Sequence, residues 1–232
     1  MNVYLDNAAT TSVAPEVVKA MVPVLQESFG NPSSSHMVGR KSRVLIEQSR
    51  RRVASHLNCH PSCIYFTSGG TEADNLALRS AVRDLGCTRI ITSEAEHSAV
   101  IKTAQSLERS EGTALDLARH LSDGKVDLDH LKSLLSKGGK TIVSLMHANN
   151  EVAVIQDLNV IGSMCREAGA LFHTDTVQTM CHYAFDLQDL PVDFITCSAH
   201  KFHGPKGVGF LYIRKGVHLK GCLLYTSDAA DD

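Results

Sequence analysis

The sequence has no tryptophan, few aromatic residues and no excess of one charge. Its 23 Lys and Arg residues nearly balance its 25 Asp and Glu residues, so we expect no nucleic-acid partner. No stretch reaches the roughly 18 continuous apolar residues of a membrane span, so no membrane partner is expected either. The N-terminus also has neither the basic start nor the apolar run of a signal peptide.

The seven cysteines are an odd number and have no regular spacing. Such usage is typical of reduced thiols and not of a disulfide framework, so we expect a soluble, cytoplasmic protein. At 232 residues, the chain is long enough to bury a core without disulfide or metal cross-links. Composition therefore favours a globular, enzymatic domain.

Short apolar runs alternate with helical patterns along most of the chain. Continuous apolar runs are typical of strands that are buried on both faces of a sheet. Their alternation with helices predicts an α/β fold, with a mostly parallel sheet flanked by helices. The predicted strands are Ile64–Thr67, Arg89–Thr92, Thr141–Met146, Ala170–His173, Asp193–Thr196 and Gly207–Ile213.

Two amphipathic helices are predicted before the first strand. The second extends from about Gly39 to Leu57, and its arginines at positions 50–52 are expected to point largely outward. Pro15 can open the first helix, whose apolar stripe would consist of Val18, Met21, Val22 and Leu25.

Five polar clusters follow predicted strands, and the first contains Gly69 and Gly70. Glycines let backbone N–H groups approach a ligand closely, and the helix predicted directly after them favours an anion at its N-terminus. Thr71 adds a hydroxyl donor. The same residues also fit an ordinary strand-to-helix turn with a Ser or Thr cap.

The second and third clusters contain Lys201 and Asp175. A lysine at the end of a buried strand can be desolvated, which lowers its pKa and lets the neutral amine form a Schiff base. An aspartate at a strand's carboxyl end can keep a heteroaromatic nitrogen protonated. The alternatives are an exposed turn at Lys201 and a helix cap at Asp175.

The remaining clusters contain His97 and the pair Asn149 and Asn150. A histidine can stack on a planar ring or move a proton near neutral pH. Asparagine amides can form fixed hydrogen bonds, although asparagine is also common in turns. Since five strand ends each carry such a cluster, a ligand site is a better explanation than coincidence.

The motifs resemble those of the cysteine desulfurases, a branch of the class V aminotransferase family that uses pyridoxal 5'-phosphate (PLP) and has the type I fold. The matching segments occur in family order over residues 3–221. They are YLDNAATT (Tyr4–Thr11), GNPSSSH (Gly30–His36), TSGGTEADN (Thr67–Asn75), EAEHSAV (Glu94–Val100), HANNEVAVIQD (His147–Asp157), HTDTVQT (His173–Thr179) and SAHKFHGPKGVGFLYIRKG (Ser198–Gly216).

The resemblance implies a role for each polar cluster. Lys201 would hold PLP as a Schiff base, and His97 would stack over the ring and assist proton transfer, so these two residues are the catalytic candidates. Asp175 would keep the ring nitrogen protonated. The other cofactor contacts would be Gln178 at the ring hydroxyl, Asn150 near the substrate side, and Gly70, Thr71, Ser198 and His200 at the phosphate.

The implied activity converts L-cysteine to L-alanine and transfers the sulfur through a cysteine persulfide. Homodimerisation of the intact parent and transfer to sulfur-acceptor or iron–sulfur scaffold proteins are implied as well, for iron–sulfur cluster or thio-cofactor and tRNA synthesis. Alternatives are selenocysteine lyase, another class V enzyme, or a non-catalytic PLP-binding fragment.

The resemblance also suggests how the chain is divided. Residues 1–15 would be the N-terminal segment of a small domain whose C-terminal part is missing, and residues 16–221 an incomplete PLP-binding large domain. Residues 222–232 resemble no part of the family, and we expect them to be a sequencing-adapter artefact joined to a truncated gene. None of the seven cysteines occupies the persulfide position of the family.

Two substitutions depart mildly from the family pattern. Thr176 stands where the family usually has Ala, and Ala153 stands where it usually has Gly. Ala153 would be strained if that position needs a positive φ.

A cluster of Cys and His residues could suggest a metal site. Its spacing departs from paired zinc motifs, so no metal site is predicted for His56, Cys59, His60 and Cys63.

Overall fold

The computed structural model describes residues 3–217 and residue 219, so the expected artefact at 222–232, with Cys222, lies outside the described residues. The helices are α1 (Pro15–Glu27), α2 (Met37–His56), α3 (Gly70–Arg83), α4 (Ser98–Glu111), α5 (Leu128–Leu135) and α6 (Leu158–Glu167). The strands are β1 (Ile64–Thr67), β2 (Arg89–Ser93), β3 (Ala114–Ala118), β4 (Thr141–Ser144), β5 (Ala148–Asn149), β6 (Val154–Ile155), β7 (Leu171–Asp175), β8 (Phe194–Ser198) and β9 (Gly209–Ile213). Among the described residues, every helix is too short or too polar to span a bilayer.

Seven strands form one sheet in the order β1-β9-β8-β7-β4-β2-β3, while β5 and β6 form a separate hairpin. β9 is antiparallel to both of its neighbours, and the other neighbouring pairs are parallel. The predicted mostly parallel α/β fold is therefore confirmed. Because β1, β2, β4, β7 and β8 point the same way, their C-terminal ends form one edge of the sheet, called the carboxyl edge below.

Helices cover the two faces of the sheet and bury a separate apolar cluster on each. Consecutive residues of β4 show the division, since Ile142 belongs to one cluster and Val143 to the other. Leu107 of α4 packs in the cluster of Ile142, and Leu131 of α5 packs in that of Val143. Burial on both faces explains why these strands are continuous apolar runs.

The six predicted strands are all present, but the sequence analysis missed β3 and the short hairpin strands β5 and β6, and it shifted several boundaries. β3 is an outer strand of the sheet and carries Asp116 in its middle, so its sequence lacks an apolar run. β7 and β8 extend two residues further than predicted, so Asp175 and Ser198 are the last residues of these strands. Their side chains are consequently held by the sheet itself.

The prediction that Arg50, Arg51 and Arg52 point largely outward is wrong for Arg50 and holds for the exposed Arg51 and Arg52. Arg50 is buried, because its guanidinium donates to the carbonyl of Ile64 and lies 5.2 Å from the ring centre of Phe66. α1 begins at Pro15 as predicted, but none of its residues is buried among the described residues. Its exposed apolar side chains include Val18, Val22 and Leu25.

Candidate active site

The carboxyl edge brings the five predicted polar clusters together. Strands β1, β8, β7, β4 and β2 are adjacent in the sheet apart from the antiparallel β9. Each ends beside one cluster, so the site is assembled from segments that are far apart in the sequence. Open α/β sheets bind ligands outside these strand ends.

Lys201 lies on a short 3-10 turn (Ala199–Lys201) that follows β8 directly. Its amine is half-buried and donates a hydrogen bond to the carbonyl of Ala8. Desolvation lowers the pKa of Lys201, although the carboxylates of Asp175 and Asp6 act in the opposite direction. The direction of this shift is the one that the sequence analysis anticipated for a lysine that forms a Schiff base.

The N-terminal arm, defined as residues 8–14, is hydrogen-bonded to the residues around the same turn. The amide of Thr11 donates to the carbonyl of His200 at 2.8 Å, and the Thr11 hydroxyl accepts from the amide of His203 at 2.7 Å. Gln178 donates to the carbonyl of Ala8 at 3.1 Å. The sequence analysis assigned this segment no role in the site. The only sequence feature that pointed to it was AATT (residues 8–11), which belongs to a segment that matches the family.

Asp175 is buried at the end of β7, and its Oδ1 accepts from the amide of Val177 at 2.8 Å. Desolvation raises the pKa of Asp175, while His97 and Lys201 partly oppose that shift. The predicted alternative of a helix cap does not apply, because a turn and not a helix follows β7. Thr176, the departure from the family pattern, donates through its hydroxyl to the carbonyl of Thr196 at 2.8 Å.

At the glycine pair after β1, the start of α3 lies close to the end of β8. A Cβ at Gly70 would lie 2.8 Å from Val177 Cγ2 and 3.7 Å from Ser198 Cβ, while Gly69 has φ +152°. No side chain among the described residues caps α3, so the predicted Ser or Thr cap is absent. An uncapped helix N-terminus beside the hydroxyl groups of Thr71 and Ser198 suits an anion.

His97 and the asparagine pair occupy the β2 and β4 side of the edge. His97 is exposed and accepts from the amide of Ala99 through Nδ1 at 3.2 Å, so it also caps α4. Asn149 has a structural role, because its side chain donates to the carbonyl of Ala95 and accepts from the amide of Glu151. Asn150 is exposed at the carboxyl edge.

Three buried titratable groups behind these residues were missed by the sequence analysis. Asp74 of α3 and Glu96 after β2 are buried, and each has an oxygen without a hydrogen-bond partner among the described residues. His173 of β7 is fully buried. Burial raises the pKa of Glu96 to about 8 and lowers that of His173 to about 3. Sequence gave no signal of their proximity, because α3, β2 and β7 meet only in the folded chain.

The groups at the carboxyl edge fit PLP. The Lys201 amine matches the aldehyde, the buried Asp175 carboxyl matches the ring nitrogen, and the uncapped start of α3 matches the phosphate. Ligand atoms of Asp74, His97 and Asp175 lie within 4.8 Å of one another, so the same place also concentrates groups of metal-binding type.

Comparison with known proteins gives consistent matches along the chain. Residues 3–224 match the family described as aminotransferase class-V. The cysteine desulfurase IscS of Dictyoglomus turgidum is 45% identical over 221 residues, which are 94% of this chain and 55% of that protein. The chain thus spans about half the length of the curated relatives it matches.

Solved structures confirm the fold. A structure named NifS-like protein has a TM-score of 0.90 and 39% identity, covering 94% of this chain and 60% of that one. The structure titled SspA in complex with cysteine has a TM-score of 0.85 and 35% identity, covering 92% and 62%. With the match over residues 3–224, this chain belongs to the PLP-dependent aminotransferase class-V family.

Proposed function

We propose that this chain supplies the PLP-binding part of a cysteine desulfurase, an enzyme that removes sulfur from L-cysteine and releases L-alanine. The names of the relatives support this activity, and a neighbouring structure is described as a complex with cysteine. The observation that carries the proposal is the position of the Lys201 amine and the buried Asp175 carboxyl at the ends of neighbouring strands.

When bound, PLP would withdraw electrons from the substrate carbon that bears the amino group. Lys201 would hold the cofactor and His97 would cover its ring and transfer protons. Asp175 would bind the ring nitrogen and keep it protonated. The proposed contacts of the remaining polar groups are Gln178 to the ring hydroxyl, Asn150 on the substrate side, and Gly70, Thr71, Ser198 and His200 to the phosphate.

The thiols of the described residues favour a second candidate, in which this chain by itself binds PLP without turning over cysteine. Burial raises the pKa of all six described cysteines, and the values reach about 12 for Cys59 and Cys165 and about 11 for Cys87. Thiols of this kind are poor nucleophiles near neutral pH. A persulfide-forming cysteine would then come from the part of the relatives that this chain does not span.

The intact parent is proposed to be a cytoplasmic homodimer that passes sulfur to acceptor or iron–sulfur scaffold proteins. Residues 1–15 would belong to its small domain and residues 16–221 to its large domain. The exposed apolar side chains of α1 support this division, since a domain packed against them would remove Val18, Val22 and Leu25 from water.

Absorbance titration of the purified chain with PLP tests the cofactor part of the proposal. We expect a long-wavelength band of bound cofactor in the wild type and in Lys206→Ala, which removes an exposed lysine five residues away. Lys201→Ala should lack the band. A band that persists unchanged in Lys201→Ala would contradict the assignment.

Product analysis separates the two candidates. Alanine or sulfide released from cysteine by the wild-type chain and not by Lys201→Ala would show that this chain is itself a desulfurase. PLP binding without either product would support the non-catalytic candidate, with turnover restricted to the longer parent.

A further inference from the structure

Asp74 is a second buried carboxyl group directly beside Asp175. It lies in the second turn of α3 and only 1% of its surface is exposed. Its Oδ1 lies 3.5 Å from His173 Nε2 and has no hydrogen-bond partner in the part of the chain that the structure describes. Ligand atoms of Asp74 and Asp175 are within 4.8 Å of each other, so the two groups form a carboxyl pair in a largely water-free place.

Among the described residues, the Asp74 member of the carboxyl pair has no lysine or arginine partner that would stabilise its charged form. Within the part of the chain that the structure describes, no Lys or Arg nitrogen lies within 4.0 Å of Asp74. His173 is fully buried, and its two ring nitrogens contact the hydroxyl groups of Ser144 at 2.8 Å and Thr196 at 3.0 Å. Burial keeps its pKa near 3, so this ring is neutral and supplies no compensating charge.

The surroundings of the two carboxyl groups differ. Asp175 accepts from the amide of Val177, and the basic groups of His97 and Lys201 favour its charged form. Asp74 faces Asp175 and Glu96, which both disfavour its charged form, and only the Thr196 hydroxyl acts the other way. Two carboxyl groups at this distance ionise one at a time, and the better solvated or better paired group ionises first.

We propose that Asp74 is a positioning residue that carries the proton of the carboxyl pair and leaves its negative charge on Asp175. The proposal rests on the proposed function, since Asp175 is the group that would bind the PLP ring nitrogen. As a neutral acid, Asp74 fixes the charge of Asp175 at the place where the cofactor needs it. Burial raises the pKa of Asp74 well above its ordinary range, which is consistent with a proton that stays on at neutral pH.

Urea unfolding of the full chain without cofactor tests this proton directly. A buried acid that is neutral when folded and ionised when unfolded makes the wild type less stable as pH rises. Asp74→Asn removes that proton, so the ratio of the wild-type to the variant unfolding constant should increase about tenfold per pH unit, or about 100-fold between pH 5 and pH 7. Asp84→Asn at the other end of α3 serves as the matched control, because it replaces the same chemical group outside the carboxyl pair, and it should lack this increase.

The same titration can overturn the proposal. A ratio for Asp74→Asn that is flat, or that falls as pH rises, would show that Asp74 is ionised in the folded chain. All buffers contain EDTA, so that no cation from the buffer can pair with the carboxyl groups. In wild-type chain labelled with carboxyl-13C aspartate, one aspartate carboxyl should remain protonated at pH 7, and finding none would also contradict the proposal.

Equilibrium dialysis with PLP tests the positioning role. Asp74→Ala should weaken PLP binding about tenfold because Asp175 loses its neighbour, and Asp74→Asn should restore most of that loss. Equal weakening by both substitutions would mean that the charge of Asp74 is what matters, and would overturn the proposal. Failure of the wild type to bind PLP would count against the proposed function alone, since the unfolding experiment needs no cofactor.

Discussion

Two buried aspartates at opposite ends of the sheet show how a structural carboxylate differs from one that is proposed to bind a ligand. Asp193 comes just before β8, where its side chain contacts Arg214 at 2.5 Å and accepts from the amide of Phe172 at 2.8 Å. Asp175, at the carboxyl edge, accepts from one backbone amide and has no ion pair within 4.0 Å among the described residues.

The two aspartates differ in the group that balances the negative charge of each carboxylate. Both aspartates are about equally buried, with 4% and 5% of their surface exposed, and burial raises the pKa of both. The fold supplies Asp193 with its cation, whereas Asp175 is left with capacity for a partner from outside the chain. Since an incompletely paired buried charge is costly, such a group points to a binding site.

The largest expected effect is the loss of cofactor binding in Asp175→Asn. Removing one member of a buried charge pair costs about 2–5 kcal/mol, so PLP affinity should fall about 30-fold or more. The isolated fold should not be weakened at pH 7, because the variant no longer needs to bury a carboxyl group of raised pKa. Equilibrium dialysis and urea unfolding at pH 7 measure the two quantities.

Asp193→Asn should have the opposite profile. The uncompensated Arg214 should reduce the free energy of unfolding by about 2 kcal/mol, at the low end for a buried pair because Arg214 is 42% exposed. PLP affinity of the folded variant should stay within about twofold of the wild type, since Asp193 lies at the other end of the sheet. A variant that loses PLP and keeps its stability would break the comparison.

The pH dependence of the free energy of unfolding tests a third buried carboxyl group, that of Glu96. Its pKa is raised to about 8 in the folded chain from an ordinary value near 4.5, so the folded chain holds a proton that the unfolded chain releases. Stability should therefore fall by up to about 1.4 kcal/mol per pH unit as pH rises from about 4.5 to about 8. Glu96→Gln should remove this loss, while Glu108→Gln on the exposed face of α4 should keep it.

The smallest expected effect concerns Ala153, which has φ +55° in the turn between β5 and β6. The sequence analysis predicted strain at this position if the backbone required a positive φ, and that condition is met. Ala153→Gly should raise the free energy of unfolding by about 0.5 kcal/mol. The same substitution at Ala168, where φ is −82°, should lower it instead.

The sequence predicts best where local pattern and burial coincide. β4 is apolar because helices cover both faces of the sheet, and its position follows from its continuous run of apolar residues. β3 escapes prediction because its position at the edge of the sheet permits a charged residue, Asp116, in its centre. Arg50 was placed outside because its partner, the carbonyl of Ile64, is brought to it only by packing of α2 against β1.

The candidate site also contains residues that the local sequence predicts and residues that only the fold brings together. Lys201 and Asp175 were found because strand ends in α/β folds bind ligands and both side chains suit a ligand there. The contact of Ala8 with Lys201 joins residues 193 positions apart, and the proximity of Asp74 to Asp175 depends on how α3 packs against β7. Such long-range contacts have no local sequence signal.

The most direct test of the central claim is borohydride reduction of the PLP-treated chain, followed by peptide mapping. Reduction fixes a lysine-bound cofactor in place, so its position identifies the lysine. We expect one pyridoxyl group per chain, carried by Lys201 and absent from Lys201→Ala. A label distributed over exposed lysines such as Lys206, and unaffected by Lys201→Ala, would contradict the account.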